Sequence, residues 1–119
     1  MMQVTGKAII RVDGTELRTQ DGATLNPGGE KREAQVGNGK VHGYKEETQA
    51  PELECQVFHT ADLSLKALGA ITSATVMFET DTGAVFVLRE AFVTDVPSLN
   101  VKDGTVGLKM SAISCDEGA

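Results

Sequence analysis

Hydrophobic and polar residues alternate along much of this chain with a period of two, which is typical of half-buried β-strands. Leu53, Cys55 and Val57 are separated by acidic or amide residues, and residues 105–112 repeat the same alternation. Each stretch therefore predicts a strand that buries one face and exposes the other. In the first strand the exposed face is acidic.

Two stretches predict hairpins. Residues 7–19 contain Asp13-Gly14, a pair that supplies the positive φ angles of a tight turn. Residues 74–89 turn at positions 80–83, and here both strand faces are apolar, because Val85 and Val87 point away from Phe86 and Leu88. A hairpin with two apolar faces needs a cover on its outer face, so we expect either the chain's own helix or a neighbouring subunit there.

Only residues 60–69 predict a helix, with Thr60 as the cap, Asp62 in the first turn and Gly69 just past the end. A helix this short needs tertiary packing to persist, and we expect it to close the open end of a sandwich or barrel. The chain of 119 residues is predicted to be one domain. The predicted fold class is mainly β: a small antiparallel β-sandwich or barrel of about seven strands with one short α-helix.

Residues 22–45 are too long, too polar and too rich in glycine for an ordinary loop of a compact domain. Turn signals at Pro27-Gly28-Gly29 and Gly37-Asn38-Gly39 divide this segment into stretches spaced like short strands. We therefore predict an extended hairpin arm that pairs with another molecule. Ordering about 20 residues costs on the order of 20 to 40 kcal/mol, so the arm is expected to stay mobile until neighbouring subunits bury it.

The net charge of −6 is unevenly distributed along the chain. Residues 46–90 carry eight acids against two bases, whereas residues 22–45 carry four bases against two acids and have a net charge of +2. A positive arm and a negative body are expected to attract each other between copies, although ordinary surface solubility explains the same pattern.

The sequence offers no recognisable catalytic or ligand-binding constellation. His42 and His59 lie on separate predicted elements, and Glu46-Glu47 lack the pattern of a calcium loop. Gly37-Asn38-Gly39 is followed by no helix start of a phosphate loop. We predict a protein that is not an enzyme, with no catalytic residues, no metal and no cofactor.

Composition also bounds the partners and the compartment. An acidic protein with no tryptophan is a poor nucleic-acid binder. The chain has no membrane-length apolar run and no signal-peptide layout at its start, which predicts a soluble protein made in the cytoplasm. Cys55 and Cys115 are expected to be small hydrophobic residues, with a disulfide between them possible but unneeded.

Several segments, in this order and spacing, resemble the tail tube proteins of Mu-like contractile-tailed phages and related prophages, along nearly the whole chain. They are Gly6-Lys7-Ala8 to Val12-Asp13-Gly14, Leu25-Asn26-Pro27-Gly28-Gly29 to Arg32, Gly43-Tyr44, Pro51-Glu52-Leu53-Glu54, and Thr75 to Gly83 leading into Val85 to Leu88. Type VI secretion tube proteins are similar in architecture.

This resemblance implies a structural virion protein without an active site. Six copies would close into a ring, and rings would stack into the hollow tail tube through which phage DNA passes without specific binding. The implied partners are the chain itself and the sheath, baseplate and tape-measure proteins, with no membrane. The implied location is the virion tail, assembled in the host cytoplasm. The arm residues that match the family and are expected at subunit interfaces are Pro27, Gly28, Gly29, Arg32, Gly43 and Tyr44.

A tube that conducts DNA is expected to have an acidic lumen, because like charge repels phosphates whereas lysines would bind them. The candidate lumen residues are Glu52, Glu54, Glu79 and Asp81. Two other classes stay open from the residues alone. A monomeric β-barrel that binds a ligand or peptide explains the strands but not the arm, and a small hydrolase would need His42 or His59 to meet a carboxylate in a cleft.

Overall fold

The structure is a computed structural model and describes residues 2–118. It is mainly β with one short helix, as predicted, but it has more strands than the expected seven. The strands are β1 (Ala8–Val12), β2 (Thr15–Leu17), β3 (Thr24–Asn26), β4 (Gly29–Gly37), β5 (Lys40–Gln49), β6 (Glu52–Phe58), β7 (Ala74–Thr80), β8 (Val85–Val93), β9 (Ser98–Asn100), β10 (Thr105–Ser111) and β11 (Ser114–Gly118), and the helix is α1 (Leu65–Gly69).

Nine of these strands form one antiparallel sheet that curls into a barrel. Its order is β2-β1-β7-β8-β10-β6-β3, with β11 added to β8 and β9 added to β10. Strand β8 changes partners along its length, pairing with β7 and β11 through residues 85–91 and with β10 through Phe92 and Val93. A bridge between Thr19 and Val57 then joins the segment after β2 to β6. The curled sheet is therefore nearly closed.

The barrel interior is filled by side chains from all around the sheet. Ile10, Val76 and Leu88 come from one side, and Leu53 and Leu108 come from the other. The alternation predicted for β6 is confirmed, since its apolar positions are buried and the positions between them are exposed. In β10 the apolar positions are buried as predicted, but its other face is not exposed, because Thr105 and Ser111 are buried as well. Phe78 and Phe86 add an edge-to-face contact with ring centroids 6.2 Å apart.

The Asp13-Gly14 turn is confirmed. Asp13 has φ of 50° and Gly14 has φ of 86°, and Val12 pairs directly with Thr15 across the turn. The second strand ends at Leu17, two residues earlier than predicted. The chain then crosses to β6, where the Phe58 N–H donates to the Arg18 carbonyl.

The helix is shorter than predicted because its cap lies four residues later. Ser64, and not Thr60, accepts the N-terminal hydrogen bond, from the Ala67 N–H at 3.2 Å. Residues 60–63 form a separate turn, in which the Leu63 N–H donates to the Thr60 carbonyl, so Asp62 lies outside the helix. Gly69 is the last helical residue and not the residue that follows the helix.

The helix does not cover the outer face of Val85 and Val87. Leu68 is buried, and just after the helix the Ile71 carbonyl accepts a hydrogen bond from the Val93 N–H. Val93 lies at the far end of β8, about 25 Å from Val85 at about 3.3 Å per residue. Of the two covers expected from the sequence, the helix was therefore wrong.

The predicted arm is present with different bounds. The hairpin is formed by β4 and β5, residues 29–49, and these strands pair only with each other among the described residues. Residues 24–26 belong to the barrel, because β3 pairs with β6. The molecule consequently measures 60 Å along its longest axis and 29 Å along its shortest.

Both cysteines are free thiols, as the sequence favoured. Burial, with a smaller contribution from Glu54, raises the pKa of Cys55 to about 11. Burial also raises the pKa of Cys115, which lies half-buried on the edge strand β11, with Asp116 and Glu117 adding to the effect. A protonated thiol is a weak nucleophile, so the raised pKa values make both cysteines less reactive near neutral pH than a free cysteine.

Candidate functional site

The arm is held in register by charged pairs across its two strands. Lys31 faces Glu47, Arg32 faces Glu46, and Glu33 faces Lys45. Each is an opposite-charge pair, the arrangement that stabilises neighbouring antiparallel strands. The Arg32 Nε to Glu46 Oε1 distance is 3.9 Å, which is long for an ion pair.

These pairs change the charge predicted for the arm. With the observed bounds of residues 29–49, the arm includes Glu46 and Glu47 and holds four acids and four bases, so its net charge is zero. The predicted positive charge of the arm was therefore wrong, because it depended on ending the arm at residue 45. Three of the four bases face acids of the arm's own ladder.

Arg32 and Tyr44, two predicted interface residues, are brought together. The Arg32 guanidinium lies over the Tyr44 ring, 5.6 Å from the ring centroid, which is cation–π geometry. Tyr44 is 63% exposed. Next to it, Val36 pairs with Val41, and these two side chains are 68% and 70% exposed.

The sequence predictions missed Val36 and Val41. They stand at equal distances on either side of Asn38-Gly39, whose φ angles of 52° and 73° form the turn. Equal spacing about an Asn-Gly turn places two residues opposite each other, and this signal could have identified the pair. An exposed valine pair beside an exposed tyrosine is an apolar surface with no cover in the described chain.

Gly43, a further predicted interface residue, lies opposite Gln35 just before the register shifts. Its φ is 143°, and the neighbouring His42 is the extra residue of a β-bulge. His42 Nε2 lies 2.9 Å from the Gly37 carbonyl oxygen. The histidine therefore supports the tip of the arm.

The base of the arm contains the remaining predicted interface residues, Pro27, Gly28 and Gly29. The Asn26 Oδ1 accepts a hydrogen bond from the Gly28 N–H at 2.9 Å, which fixes the turn between β3 and β4. A Cβ on Gly28 would lie 2.8 Å from both the Gln49 carbonyl oxygen and the Pro51 nitrogen. The two chain segments that enter and leave the arm are thus in direct backbone contact, and they set its direction.

Gly28→Ala is expected to prevent assembly without unfolding the barrel. Gly28 has φ of 77°, and the added methyl would overlap backbone atoms that only a shift of the arm can move. Left-handed strain alone costs about 1 to 2 kcal/mol. The measurement is electron microscopy of purified protein together with thermal unfolding.

Gly22→Ala is the matched control for this prediction. Gly22 also has a positive φ, of 103°, but a Cβ there would meet nothing within 4 Å. The Gly22→Ala variant therefore has the backbone strain but no overlap with neighbouring atoms. It should be less stable than wild type and should still assemble. If the Gly28→Ala and Gly22→Ala variants assemble equally well, the close backbone approach at Gly28 has no role in assembly.

The predicted lumen acids do not share one surface. Glu52 and Glu54 are exposed on β6, whereas Glu79 lies on β7 and Asp81 follows it. Around the barrel two strands separate β7 from β6 in either direction, so their outer faces point in opposite directions. In addition, Glu79 pairs with Arg11, and Asp81 Oδ1 accepts from the Gly6 N–H at 3.3 Å.

The described residues show no arrangement suited to catalysis or metal binding. They contain no group of three or more His, Cys, Asp or Glu side chains that could hold a metal ion. His42 and His59 are exposed on separate elements. None of the described helices is long and apolar enough to cross a membrane.

The cavities also do not resemble the interior site of a ligand-binding barrel. An open groove of about 360 Å³ lies between α1 and residues 93–97, outside the filled core. The most distinctive surface of the described chain remains the arm.

Comparison with known proteins agrees with this geometry. The sequence profile of the phage tail tube protein family matches residues 1–117. The chain belongs to the phage tail tube protein family. The resemblance inferred from the sequence segments is thereby confirmed.

Relatives and solved structures extend the match over nearly the whole chain. The Mu-like prophage FluMu tail tube protein of Haemophilus influenzae is 41% identical over 113 residues, covering 95% of this chain and 94% of that protein. The tail tube protein of Escherichia phage Mu is 35% identical over 95 residues, covering 80% of each.

Two solved structures share the fold of this tail tube family member at low sequence identity. One is the PVC sheath/tube terminator of an extracellular contractile injection system in the extended state, with TM-score 0.63, 10% identity, and coverage of 95% of this chain and 94% of that one. The other is Hcp1 from Flavobacterium johnsoniae, with TM-score 0.58, 12% identity, and coverage of 93% of this chain and 94% of that one.

Proposed function

We propose that this protein is the structural subunit of a phage tail tube, in which rings of six copies stack around a channel for DNA. The observation that carries the proposal is the arm, a hairpin that pairs with no other described part of its own chain. Membership of the tail tube family supports a tube as the product. The number six comes from the resemblance found in the sequence.

The arm and the barrel edges suit an assembly of identical copies. When one surface of each copy binds a different surface of the next copy, the copies form a closed ring if the rotation between neighbours adds up to a full turn. If the rotation does not close, the same kind of contact gives an open stack. The barrel leaves short edge strands, including β9 and β11, that can act as joints between copies. Isolated two-stranded hairpins are marginally stable in water, so the arm gains stability when neighbours cover it.

This requirement also bears on the other partners. If several copies must bury an arm together, tube growth starts slowly from free subunits in dilute solution. It starts readily on a preformed platform that already offers binding surfaces. A baseplate with a tape-measure protein would supply that end, and the sheath would surround the finished tube. The product is a component of the virion tail, built in the host cytoplasm.

Imaging the purified protein at high concentration tests the proposed function directly. Rings and stacked tubes in negative stain, with six-fold averages, would support it. A monodisperse monomer in sedimentation, both alone and in the presence of a baseplate fraction, would overturn it in favour of a monomeric binding module.

For the lumen we propose the surface of β6 that carries Glu52 and Glu54. Both carboxylates are exposed, and across the ladder Glu52 faces Ser111 and Glu54 faces Lys109. The opposite side of the barrel, around Met77 on β7, is more apolar and its Glu79 is already paired. Only one of these two sides can face a channel, and the β6 side repels phosphate better.

Glu52→Lys/Glu54→Lys is therefore expected to leave tubes intact and to slow DNA ejection. Lysines in the channel would bind phosphates that the carboxylates repel, and the effect should weaken at high salt. Real-time ejection or infection kinetics of phage carrying the variant measure the delay. Asp62→Lys/Glu117→Lys makes the same charge change at exposed residues outside β6, in the turn at residues 60–63 and on β11, and should behave as wild type. Equal kinetics for both variants would place the lumen elsewhere.

A further inference from the structure

The arm has two unlike faces. Paired residues in an antiparallel ladder share a face, and residues two apart on one strand do so as well. One face, called the apolar face below, carries an apolar group near the tip with the arginine that covers its aromatic ring: Arg32, Ala34, Val36, Val41 and Tyr44. Nearer the base the same face carries Glu30, Glu46 and Thr48. The other face carries only polar residues and glycine: Lys31, Glu33, Gln35, Gly43, Lys45 and Glu47.

The barrel has an apolar strip on one outer side. Its members lie on three adjacent strands and alternate with core residues: Ile9 on β1, Met77 on β7, and Val85 and Val87 on β8. Ile9 is 42% exposed and the other three are half-buried. The Arg11–Glu79 ion pair lies within this face, because Glu79 is paired with both Ile9 and Val85 and Arg11 is paired with Met77. The Arg89–Asp116 pair lies at its edge, where Asp116 on β11 is paired with Val87.

We propose that the apolar face of the arm of one copy lies across this strip on a second copy. The inference rests on the proposed function and specifies which two surfaces meet in it. Both surfaces are β-structured, and sheet faces stack at about 10 Å through side chains of this kind. The polar face of the arm then points to solvent or to a further partner.

The arm cannot cover the strip of its own chain. It leaves the barrel beside β6, whereas the strip is centred on β7, on the opposite side. At the base of the arm the backbone of Gly28 lies so close to Gln49 and Pro51 that a side chain there would overlap them. A second copy is the partner that brings a matching surface to the strip.

The groove beside α1 is a weaker candidate for receiving the arm. It has a volume of about 360 Å³ and is lined by Leu65, Gly69, Val93 and Pro97 among others. That space holds one or two side chains, whereas the apolar group of the arm spreads over both of its strands.

Charge placed on each face of the arm tests the first half of this inference. Val41→Glu is expected to raise the protein concentration needed for tube formation at least about tenfold, because tenfold corresponds to only about 1.4 kcal/mol and burying an unpaired charge costs more. Gln35→Glu adds the same charge to the other face and should change that concentration less than about twofold. An equal effect at both positions would overturn the assignment of faces.

Crosslinking tests the second half. In a Cys115→Ser background, copies carrying Val41→Cys and copies carrying Val87→Cys are mixed, assembled and treated with a short bis-maleimide. Cys55 stays out of reach because it is buried. We expect a crosslinked dimer from the mixture of Val41→Cys and Val87→Cys copies. We expect much less dimer from a matched mixture of Gln35→Cys and Val87→Cys copies.

Well-formed tubes that crosslink equally through position 35, or not at all through position 41, would overturn the proposal. A Val87→Cys thiol that is labelled freely in bare tubes and protected only in sheathed tails would assign the strip to the sheath instead. If the unsubstituted protein forms no tubes, alone or with a baseplate fraction, the proposed function fails as well, and that outcome is separate from the other two.

Discussion

Replacing residues 30–48 with a two-residue Asn-Gly turn is expected to give a folded barrel that forms no tubes. Gly29 and Gln49 are directly paired, so a tight turn can join them without disturbing β3 or β6. The strands of the arm pair only with each other, and the buried core lies in the barrel. Removing the arm should therefore cost the barrel little stability.

Two measurements made on the same sample check this result. Circular dichroism should show a β-rich protein whose thermal midpoint lies within about 4 to 8 °C of wild type, which corresponds to a change of about 1 kcal/mol. Electron microscopy should show no tubes at concentrations where wild type forms them. Gln35→Ser, which alters only the polar face of an intact arm, is the control and should assemble.

Tubes from the armless protein would contradict the central role of the arm. In that case the edge strands of the barrel would be sufficient for stacking. An armless protein that fails to fold would contradict the structural separation of arm and barrel.

Leu53→Ala is expected to have the largest effect on stability. Leu53 is fully buried at the middle of the barrel and pairs with Leu25 on one side and Met110 on the other. Replacing a buried leucine with alanine costs about 2 to 5 kcal/mol through lost burial and the cavity that remains. Domains of this size have about 5 to 15 kcal/mol in total, so a large share would be lost.

Chemical unfolding in urea checks this prediction through the shift in midpoint at unchanged slope. Glu54→Ala, at the next position on the exposed face of the same strand, should change the free energy of unfolding by no more than about 0.5 kcal/mol. Similar losses in the two variants would mean that the alternation along β6 does not define the core.

The strands of the barrel could be predicted because their signals are local. Alternation through Leu53, Cys55 and Val57 identified a strand and its buried face, and Asp13-Gly14 identified a turn. The helix was less predictable, because Thr60 and Ser64 are both acceptable caps in sequence. Only the packing of Leu68 and the turn at residues 60–63 selected the later start.

The arm was predictable as an element and not in its extent. Glycines and charges marked residues 22–45 as unlike the rest, yet nothing local showed that residues 24–26 pair with β6 or that Glu46 and Glu47 belong to the arm. That pairing decides the charge of the arm, since two glutamates change it from positive to neutral. The exposed pair of Val36 and Val41 was likewise overlooked because its meaning depends on the register across the turn.

The sequence by itself determined that this protein is a small β domain with a projecting hairpin, since periodicity, turn residues and family resemblance are all written along the chain. Only the tertiary structure decided which residues share a surface. It placed Glu52 and Glu54 on one side of the barrel and Glu79 on the other, and it left Val85 and Val87 without a cover from the helix. The physical reason is that the alternation along a strand decides on which face of the sheet a residue lies. The closure of the sheet decides in which direction that face points in the whole molecule.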